Sequence, residues 1–468
     1  MPISTLSALN ELDASSWDAL RIDQQPFLCH AFLSALEDSG SVGGRSGWQA
    51  AHRVLQDGQG RVLAAMPAYI KSHSYGEYVF DHGWADACHR AGIAYYPKLL
   101  GAIPFSPVSG QRLLGDPLAA GQDVLPTKHA YSHTIALSSG AQAYLHLGDE
   151  KYRKALVNAW TYMEPQRFAS GGWGPEEQFV ELHQGKLAAS LKSSKAHFET
   201  PCGSFADMKL ARYLVRFTGE PVYGDGLERT LYNTMLATRL PDSDGGYPYY
   251  SNYGAAAEKL YYHQKWPCCS GTLVQGVADY VLNLYFHDDN ALVVNMFAPS
   301  TVKWDRPGGA VQVEQQTNYP AEDTTRLTVT APGNGRFAMK LRIPAWAKGA
   351  QLRVNGAAQG VQPGTLAVID RTWKAGDMVE LTLLQALRTL SIDDKNPDIA
   401  AVMRGAVMYV GLNPWTGVED QPLALPASLK PVPGSDLNYA METGGRNLVF
   451  IPYFNVGLER YNTYFKIA

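Results

Sequence analysis

Two adjoining cysteines, Cys268 and Cys269, are the residues of this sequence with the most reactive chemistry. The chain carries 5 cysteines in 468 residues, so a neighbouring pair stands out. Adjacent cysteines rarely bond to each other, because the ring that they would close is strained. Three interpretations remain open at this point: a buried pair of small apolar side chains, disulfides to distant partners, or metal and nucleophile chemistry.

The N-terminal sequence bears on that choice. Residues 1–20 contain neither a basic start nor a continuous apolar stretch, so they do not have the pattern of a secretory signal. No apolar run of the sequence is long enough to cross a bilayer. We therefore expect a cytoplasmic protein in a reducing compartment. A disulfide framework is not expected there, which favours metal or catalytic thiols.

Charge excludes several classes of partner. The formal net charge is −4 and the estimated pI is 6.3, which favours neither nucleic acid nor an anionic membrane as a partner. The aromatic content of 11% suits stacking against sugars and equally suits a large core. We expect no nucleic-acid and no membrane interaction.

The paired thiols are predicted at the beginning of a helix. The run after Cys269 has helical spacing, and Ser270 or Thr272 could cap it. Upstream, Glu199 and Cys202 also come immediately before an amphipathic helix. A helix N-terminus lowers the pKa of a thiol, because its unpaired N–H groups carry positive partial charge.

Together these two helix starts could supply one set of metal ligands. Three thiolates, from Cys202, Cys268 and Cys269, and one carboxylate, from Glu199, would suit tetrahedral zinc. The alternative is that the cysteines are small buried side chains without a ligand, since free cysteine commonly takes that place in a core.

A second candidate cluster is "ASGGWGPEEQF", residues 169–179. Its glycines permit close backbone approach, and Glu176 and Glu177 are its acids. Adjacent glutamates in a loop are usually a solvated surface. The Gly-Trp-Gly setting nevertheless makes at least one of them a candidate cleft acid, because apolar surroundings raise the pKa of a carboxyl group toward acid/base use.

Three patterns follow one another along the chain. Residues 1–120 mix short helical and strand-like pieces, including a predicted hairpin around "DGQG". Residues 128–287 carry apolar side chains at three- and four-residue intervals, which is typical of helix pairs in bundles or α/α barrels. From residue 288 the period drops to two, which predicts a β-sandwich up to residue 400 and further β structure over 401–468.

Five motifs occur in a specific order: "KHAYSH", "GGWGPEEQF", "HFETPCGSFADMKLARYLV", "YGDGLERTLYNTMLA" and "WPCCSGT". In that order they resemble the β-L-arabinofuranosidases of glycoside hydrolase family 127 (GH127), from about residue 128 to the C-terminus. The downstream "KLRIPAWA" and "RTWKAGDMVEL" resemble the β-sandwich of that family. The resemblance implies an α/α-barrel catalytic domain.

The resemblance also implies a role for each matching residue. Cys268 would be the nucleophile of a retaining hydrolase and form a thioglycosyl intermediate, with Glu177 as general acid/base. His129 of "KHAYSH" matches a substrate-contacting histidine, with His133 nearby. The implied zinc ligands are Glu199, Cys202, Cys268 and Cys269, and the implied substrate is an arabinofuranoside-type oligosaccharide or glycoconjugate. "ETPC" has one more residue between glutamate and cysteine than the family's "ETC".

Residues 1–120 resemble a different family. The segment "YIKSHSYGEYVFDHGWADACHRAGIAYYPKLLGAIPFSPVSGQRLL" is similar to the N-terminal half of FemAB-like bacterial acyltransferases of the GNAT type. The combined resemblance implies a mixed, multidomain chimera: an α+β fragment, a partial α/α barrel and C-terminal β-sandwiches. An acyltransferase and an inactive carbohydrate-binding remnant are the two alternatives to a glycosidase.

Overall fold

The computed structural model describes most of the chain, in two compact units. It describes residues 3–21, 26–75, 81–104, 117–238, 246–263, 268–334, 336–412 and 417–468. Unit 1 is Met1–Gln122 and unit 2 is Asp123–Ala468. The protein is therefore a mixed α and β chain of more than one folded unit. None of the described helices is both long enough and apolar enough to cross a membrane.

Unit 1 combines short helices with two small antiparallel sheets. Its helices are α1 (Ala14–Asp18), α2 (His30–Asp38) and α3 (His82–Arg90). Its strands are β1 (Ile3–Leu6), β2 (Trp48–Ala50), β3 (His52–Gln56), β4 (Val62–Met66), β5 (Ala68–Lys71) and β6 (Lys98–Gly101). The strand orders are β1-β3-β4 and β2-β5-β6. Strands β3 and β4 form the hairpin that the "DGQG" segment predicts.

A compact core holds unit 1 together. Trp17 of α1 is fully buried, and its indole N–H donates to the carbonyl of Leu28 at 2.9 Å. Leu33 of α2 and Val54 of β3 complete one side of the same cluster. Because the tryptophan is both buried and hydrogen-bonded, it fixes α1 against the start of α2 without leaving a polar group unsatisfied.

Unit 2 begins with helices. They are α4 (Ala130–Leu147), α5 (Glu150–Met163), α6 (Lys186–Ser193), α7 (Thr200–Thr218), α8 (Pro221–Thr230) and α9 (Cys268–Asp279). Four short strands lie among them: β7 (Phe198–Glu199), β8 (Tyr247–Pro248), β9 (Tyr250–Ser251) and β10 (Tyr261–Tyr262). Strand β7 pairs with β9, and β8 pairs with β10.

The helix ends follow from their capping residues. His129 caps α4, since its Nδ1 accepts a hydrogen bond from the Ser132 N–H, and Gly148 ends the helix with φ +67°. Asp149 then caps α5 through the Lys151 N–H. Gly219 ends α7 with φ +71°. Left-handed residues at these ends favour glycine, which has no Cβ to clash.

Helix α7 is the centre of the helical part of unit 2. It packs against α4, α8 and α9. Most of its side chains are buried, including Cys202 and Asp207. A helix that is buried on nearly all sides can present polar groups only to partners inside the fold. The polar residues of α7 are therefore the ones whose partners need to be identified.

The remainder of unit 2 is β structure. Its strands are β11 (Tyr285–His287), β12 (Ala291–Val294), β13 (Ser300–Trp304), β14 (Val311–Thr317), β15 (Thr324–Pro332), β16 (Arg336–Ile343), β17 (Gln351–Val354), β18 (Ala357–Gln359), β19 (Thr365–Thr372), β20 (Met378–Thr382), β21 (Leu387–Asp393), β22 (Asn396–Arg404), β23 (Val407–Leu412), β24 (Lys430–Pro431), β25 (Tyr439–Thr443), β26 (Arg446–Pro452), β27 (Tyr461–Asn462) and β28 (Phe465–Lys466).

These strands form three sheets among the described residues. The orders are β11-β12-β16-β19, β13-β14-β15-β20-β17-β18, and β21-β22-β23-β26-β25-β24 with β27 and β28 alongside. The first two share a core, because the rings of Trp304 in β13 and Phe337 in β16 lie 5.6 Å apart. The domain boundary predicted at residue 400 falls inside β22. The third sheet instead begins with β21 at residue 387.

Candidate functional site

Four potential ligand side chains from two helix starts meet in unit 2. The Sγ atoms of Cys202 and Cys269 lie 3.2 Å apart. Oε1 of Glu199 lies 3.4 Å from the Sγ of Cys268 and 3.4 Å from that of Cys269. One ligand atom from each of the four residues lies within 4.8 Å of all the others. The structure thus brings together the four residues that the sequence proposed as ligands.

The local fold explains the convergence. Glu199 is the last residue of β7 and precedes the first residue of α7, and Cys202 lies in the first turn of that helix. The additional residue of "ETPC" is absorbed there, because the glutamate lies outside the helix and the cysteine inside it. Helix α9 packs against α7 and brings Cys268 and Cys269 to the same end.

One detail of the predicted helix start is wrong. The sequence placed both cysteines before the helix, with Ser270 or Thr272 as the cap. The structure instead begins α9 at Cys268, and the Thr272 hydroxyl donates to the Cys268 carbonyl at 3.2 Å from one turn inside. Residues 264–267, which precede the helix, lie outside the described residues. Apolar periodicity locates a helix well but does not fix its first residue.

The donor set fits a tetrahedral metal ion. Ligand atoms of a zinc site lie roughly 3.3–3.8 Å apart, given Zn–S bonds of about 2.3 Å and Zn–O bonds of about 2.0 Å. Both 3.4 Å distances from Glu199 Oε1 to a sulfur fall in that range, and the 3.2 Å between the Cys202 and Cys269 sulfurs lies just below it. In addition, Oε2 of Glu199 is buried and has no hydrogen-bond partner. A buried carboxylate oxygen without a donor is costly unless a cation compensates it.

The electrostatics of the cluster also favour a bound cation. Burial, together with Cys202 and Glu199, raises the pKa of Cys268 to about 11. The contact with Cys202, followed by burial, also raises the pKa of Cys269. Groups of one sign in a confined space disfavour each other's ionisation, and a bound cation reverses that effect. Three thiols and one carboxylate are a donor set that suits zinc.

A carboxyl group with two hydrogen-bond donors lies beside this cluster. Oε2 of Glu177 lies 3.1 Å from Nε2 of His129, and Oε1 accepts a hydrogen bond from the Tyr250 hydroxyl. Because Nδ1 of His129 accepts from the Ser132 N–H, the ring proton belongs on Nε2 and faces the carboxylate. Ligand atoms of His129, Glu177 and Glu199 lie within 4.8 Å of one another.

The two adjacent glutamates have separate environments. Glu177 is partly buried and faces His129, whereas Glu176 is exposed and accepts a hydrogen bond from the Ser194 hydroxyl. Both have positive φ, +54° for Glu176 and +59° for Glu177. Consecutive left-handed residues that are not glycine are strained and occur mostly where a side chain must be aimed. Here the turn directs the two carboxylates to different partners.

Tyrosines form a wall that the sequence analysis did not identify. The Tyr249 hydroxyl lies 3.4 Å from Oε1 of Glu199 and 3.7 Å from the Sγ of Cys268. Burial raises the pKa of Tyr249 and of Tyr250, so both remain neutral donors at pH 7. The signal was present in "YPYYSNY", residues 247–253, but an aromatic run alone does not distinguish a site wall from a core.

Both predicted histidines lie at the start of α4, but they differ in surroundings. His129 is half-exposed and contacts Glu177. His133 lies one turn further along, and burial lowers its pKa. The structure therefore places His129, rather than His133, at the candidate acid/base residue.

Comparison with known families agrees with both resemblances. The model of the GH127 β-L-arabinofuranosidase catalytic domain matches residues 105–281, and that of the GH127 middle domain matches residues 291–384. A FemAB-like model, described as peptidoglycan biosynthesis and recognition, matches residues 8–163. The resemblance of the chain to GH127, with a FemAB-like N-terminal region, is thus confirmed. The two kinds of match overlap over residues 105–163, so the FemAB-like match extends beyond residue 120 into α4 and α5.

Solved structures of this fold are also similar to the chain. One described as a glycoside hydrolase is 20% identical with a TM-score of 0.59, covering 74% of this chain and 67% of the other. A GH127 β-L-arabinofuranosidase from Geobacillus stearothermophilus T6 is 21% identical with a TM-score of 0.59, covering 75% and 62%. A GH127 β-arabinofuranosidase is 22% identical with a TM-score of 0.62 and the same coverages.

These structural similarities establish the fold. The chain spans about two thirds of the length of the solved structures that it matches. None of the curated proteins matches the chain.

Proposed function

We propose that the chain is a retaining glycoside hydrolase of the β-L-arabinofuranosidase type. The observation that carries the proposal is the shared position of Glu199. It belongs at once to the set with Cys202, Cys268 and Cys269 and to the set with His129 and Glu177. A potential nucleophile and a potential acid/base therefore flank one carboxylate. The GH127 matches name the corresponding activity for the family.

Cys268 is the nucleophile in this proposal. It is the exposed thiol of the cluster, whereas Cys202 and Cys269 are fully buried, so a sugar can reach only Cys268 among the three. Zinc bound by Glu199 and the three cysteines would keep the coordinating thiols deprotonated at neutral pH. Covalent catalysis by a thiolate then divides the displacement into two steps.

The chemistry of the two steps balances with Glu177 as the proton carrier. In the first step the Cys268 sulfur bonds to the anomeric carbon, the glycosidic C–O bond breaks, and the leaving oxygen takes the Glu177 proton. In the second step Glu177 takes a proton from water, whose oxygen attacks the anomeric carbon and releases the sulfur. Two inversions at one carbon give net retention.

His129 and Tyr250 position the acid/base in this proposal. Each donates a hydrogen bond to a different oxygen of Glu177, which fixes the plane of the carboxyl group. An acid/base must lie within hydrogen-bond reach of the oxygen that it protonates, so its orientation is part of catalysis. The histidine is also half-exposed and could contact the substrate directly.

The experiment is a covalent trap combined with turnover of an aryl β-L-arabinofuranoside. We expect the zinc-loaded chain to release the phenol, and Glu177→Gln to slow release by about 10²–10⁴-fold, the usual contribution of an acid/base. Mass spectrometry of the stalled Glu177→Gln protein should locate the pentosyl adduct on Cys268. Unchanged turnover in Cys268→Ser would exclude the mechanism.

A second candidate function concerns unit 1. The FemAB-like match over residues 8–163 favours acyl transfer, the alternative that the sequence raised. Binding of an acyl-CoA or aminoacyl donor to the whole chain, unaffected by Cys268→Ser, would support this second function. Calorimetry without detectable heat for either donor would exclude it.

A further inference from the structure

A polar cleft of about 860 Å³ lies in unit 2, separate from the thiol cluster. The end of α6, the loop over residues 252–260 and the C-terminal strands line it. Of the described residues that line the cleft, none belongs to the donor set or is Glu177. Its volume is in the range of preformed ligand sites.

The walls of the cleft are held by main-chain and buried side-chain hydrogen bonds. The backbones of Ala257 and Tyr461 exchange two hydrogen bonds, at 2.8 and 2.9 Å. The Tyr461 hydroxyl donates to the Asn252 carbonyl at 2.8 Å, and the Ala256 N–H donates to Oδ1 of Asn462 at 2.6 Å. Four bonds between a loop and a sheet edge give a cleft whose shape exists before a ligand arrives.

Two segments connect this cleft to the candidate acid/base residue. Ser194 lines the cleft, and its hydroxyl donates to Glu176, the neighbour of Glu177. Asn252 also lines the cleft, two residues after Tyr250, whose hydroxyl donates to Glu177. In an extended chain, side chains two residues apart lie on the same side. Both segments thus run from the cleft lining to residues that adjoin or contact Glu177.

The charges of the cleft are balanced. Among the described residues that line it, the cations and the acids are equal in number: Lys192, Lys195, Arg460 and Lys466 against Glu258, Asp398, Glu419 and Asp420. A balanced lining favours neither an anion nor a cation. It offers both donors and acceptors, which suits hydroxyl groups because each of them donates once and accepts twice.

We propose that this cleft binds the leaving-group side of a neutral oligosaccharide. The direction follows from the proposed function, on which this inference rests: the acid protonates the leaving oxygen, so the sugars beyond Glu177 and away from Cys268 are the ones released. Substrates would then be oligosaccharides or glycoconjugates with several sugars after the cleaved bond. Binding in the cleft orients that bond at the acid/base.

The test fills the cleft without touching the acid/base. Ala255 is a small, exposed lining residue, so Ala255→Trp should occupy the cleft, and Ala357→Trp on exposed strand β18 is the matched control. We expect Ala255→Trp to lower kcat/KM about tenfold for longer β-L-arabinofuranosyl oligosaccharides, the contribution of one hydrogen bond to a charged group. Turnover of an aryl β-L-arabinofuranoside should not change, since a phenol does not extend into the cleft.

Binding measured by calorimetry with the same oligosaccharides separates this inference from the proposed function. If the chain shows no turnover but binds the oligosaccharides, and Ala255→Trp weakens that binding, oligosaccharide binding in the cleft stands, whereas the hydrolase proposal and the assignment of the cleft to the leaving group fail. If turnover is normal but independent of chain length, and Ala255→Trp matches Ala357→Trp, the cleft inference is overturned and the hydrolase proposal stands. Absence of both binding and turnover overturns both.

Discussion

Two buried acids, Asp207 in helix α7 and Glu199 immediately before it, have opposite surroundings. Asp207 of α7 pairs with the fully buried Arg167 at 2.7 Å and accepts a hydrogen bond from the Thr230 hydroxyl at 2.7 Å. Glu199, at the start of α7, faces three thiols, and one of its oxygens has no partner. A buried charge is tolerated only when it is paired or binds a metal. The comparison therefore distinguishes a network of paired charges from a group of side chains that could hold a metal ion.

The charges of the Asp207 network are paired within the protein. Arg167 also pairs with Glu164 at 2.5 Å, and Glu164 pairs with Arg229 at 3.1 Å, although Nε of each arginine and Oε1 of Glu164 make no hydrogen bond. Two cations thus compensate two acids. The neighbouring acids raise the pKa of Arg167, which therefore stays charged. Among the described residues, by contrast, no cationic side chain pairs with Glu199.

The largest effect on stability is expected from removing one charge of the Asp207 network. Arg167→Met should lower the free energy of unfolding by about 3–5 kcal/mol, because it leaves Asp207 buried without a cation. Urea denaturation measures this loss. The control is Arg216→Met, at an exposed position of α7, the helix that carries Asp207. It should change the free energy of unfolding by less than about 0.5 kcal/mol. Equal effects of the two substitutions would remove the distinction between the two acids.

Metal removal is expected to have the next largest effect. At a free zinc concentration of about 100 times the dissociation constant, bound metal stabilises the folded state by about 2.7 kcal/mol. A chelator should remove that increment from the wild-type chain. Cys202→Ser should lack most of it from the outset, since it deletes one ligand. A chelator effect of the same size in both proteins would place the metal elsewhere.

Neutralising each acid in turn gives the sharpest comparison. Without metal, Asp207→Asn should lower stability by about 1–3 kcal/mol, since Arg167 loses a charged hydrogen bond. Glu199→Gln should leave the metal-free chain equally stable or slightly more stable, because it removes a buried charge that pairs with no cation among the described residues. Thermal unfolding of the two metal-free variants measures the difference. Parallel losses would show that Glu199 is structurally paired after all.

The smallest effect is expected at the acid/base. Tyr250→Phe removes one of the two donors to Glu177 while keeping the ring, and should lower kcat about tenfold, the lower end of the value of one hydrogen bond to a charged group. Steady-state rates with an aryl β-L-arabinofuranoside measure this change, with Tyr439→Phe in the C-terminal sheet as the control. Loss of all activity would mean that Tyr250 takes part in the chemistry itself.

The ligand set was accessible from sequence because its chemistry is local. Cysteine and glutamate before two amphipathic runs predict donors at two helix starts, and the structure brings those starts together. The position of the thiols relative to α9 was less accessible, because Ser270 and Thr272 are good caps by type but lie inside the helix together with Cys268 and Cys269.

The pairing of strands that lie far apart in the chain was the feature least predictable from the sequence. The period of two identified strands after residue 288, but not that the sheet orders pair β12 with β16 or that β22 crosses residue 400. Strand neighbours depend on the whole chain rather than on local alternation. The roles of Tyr249 and Tyr250 were missed for the same reason, because their partners Glu199 and Glu177 lie far away in sequence.

The central claim is that the Glu199 cluster holds a metal ion and the Asp207 network does not. Anomalous diffraction from zinc-loaded crystals, recorded at the zinc absorption edge, tests it most directly. If the cluster holds zinc, the anomalous map should show a single strong peak. That peak should lie within about 2.0–2.4 Å of one carboxylate oxygen of Glu199 and of the sulfurs of Cys202, Cys268 and Cys269. An anomalous map without a peak there, from protein that retains zinc in solution, would contradict it.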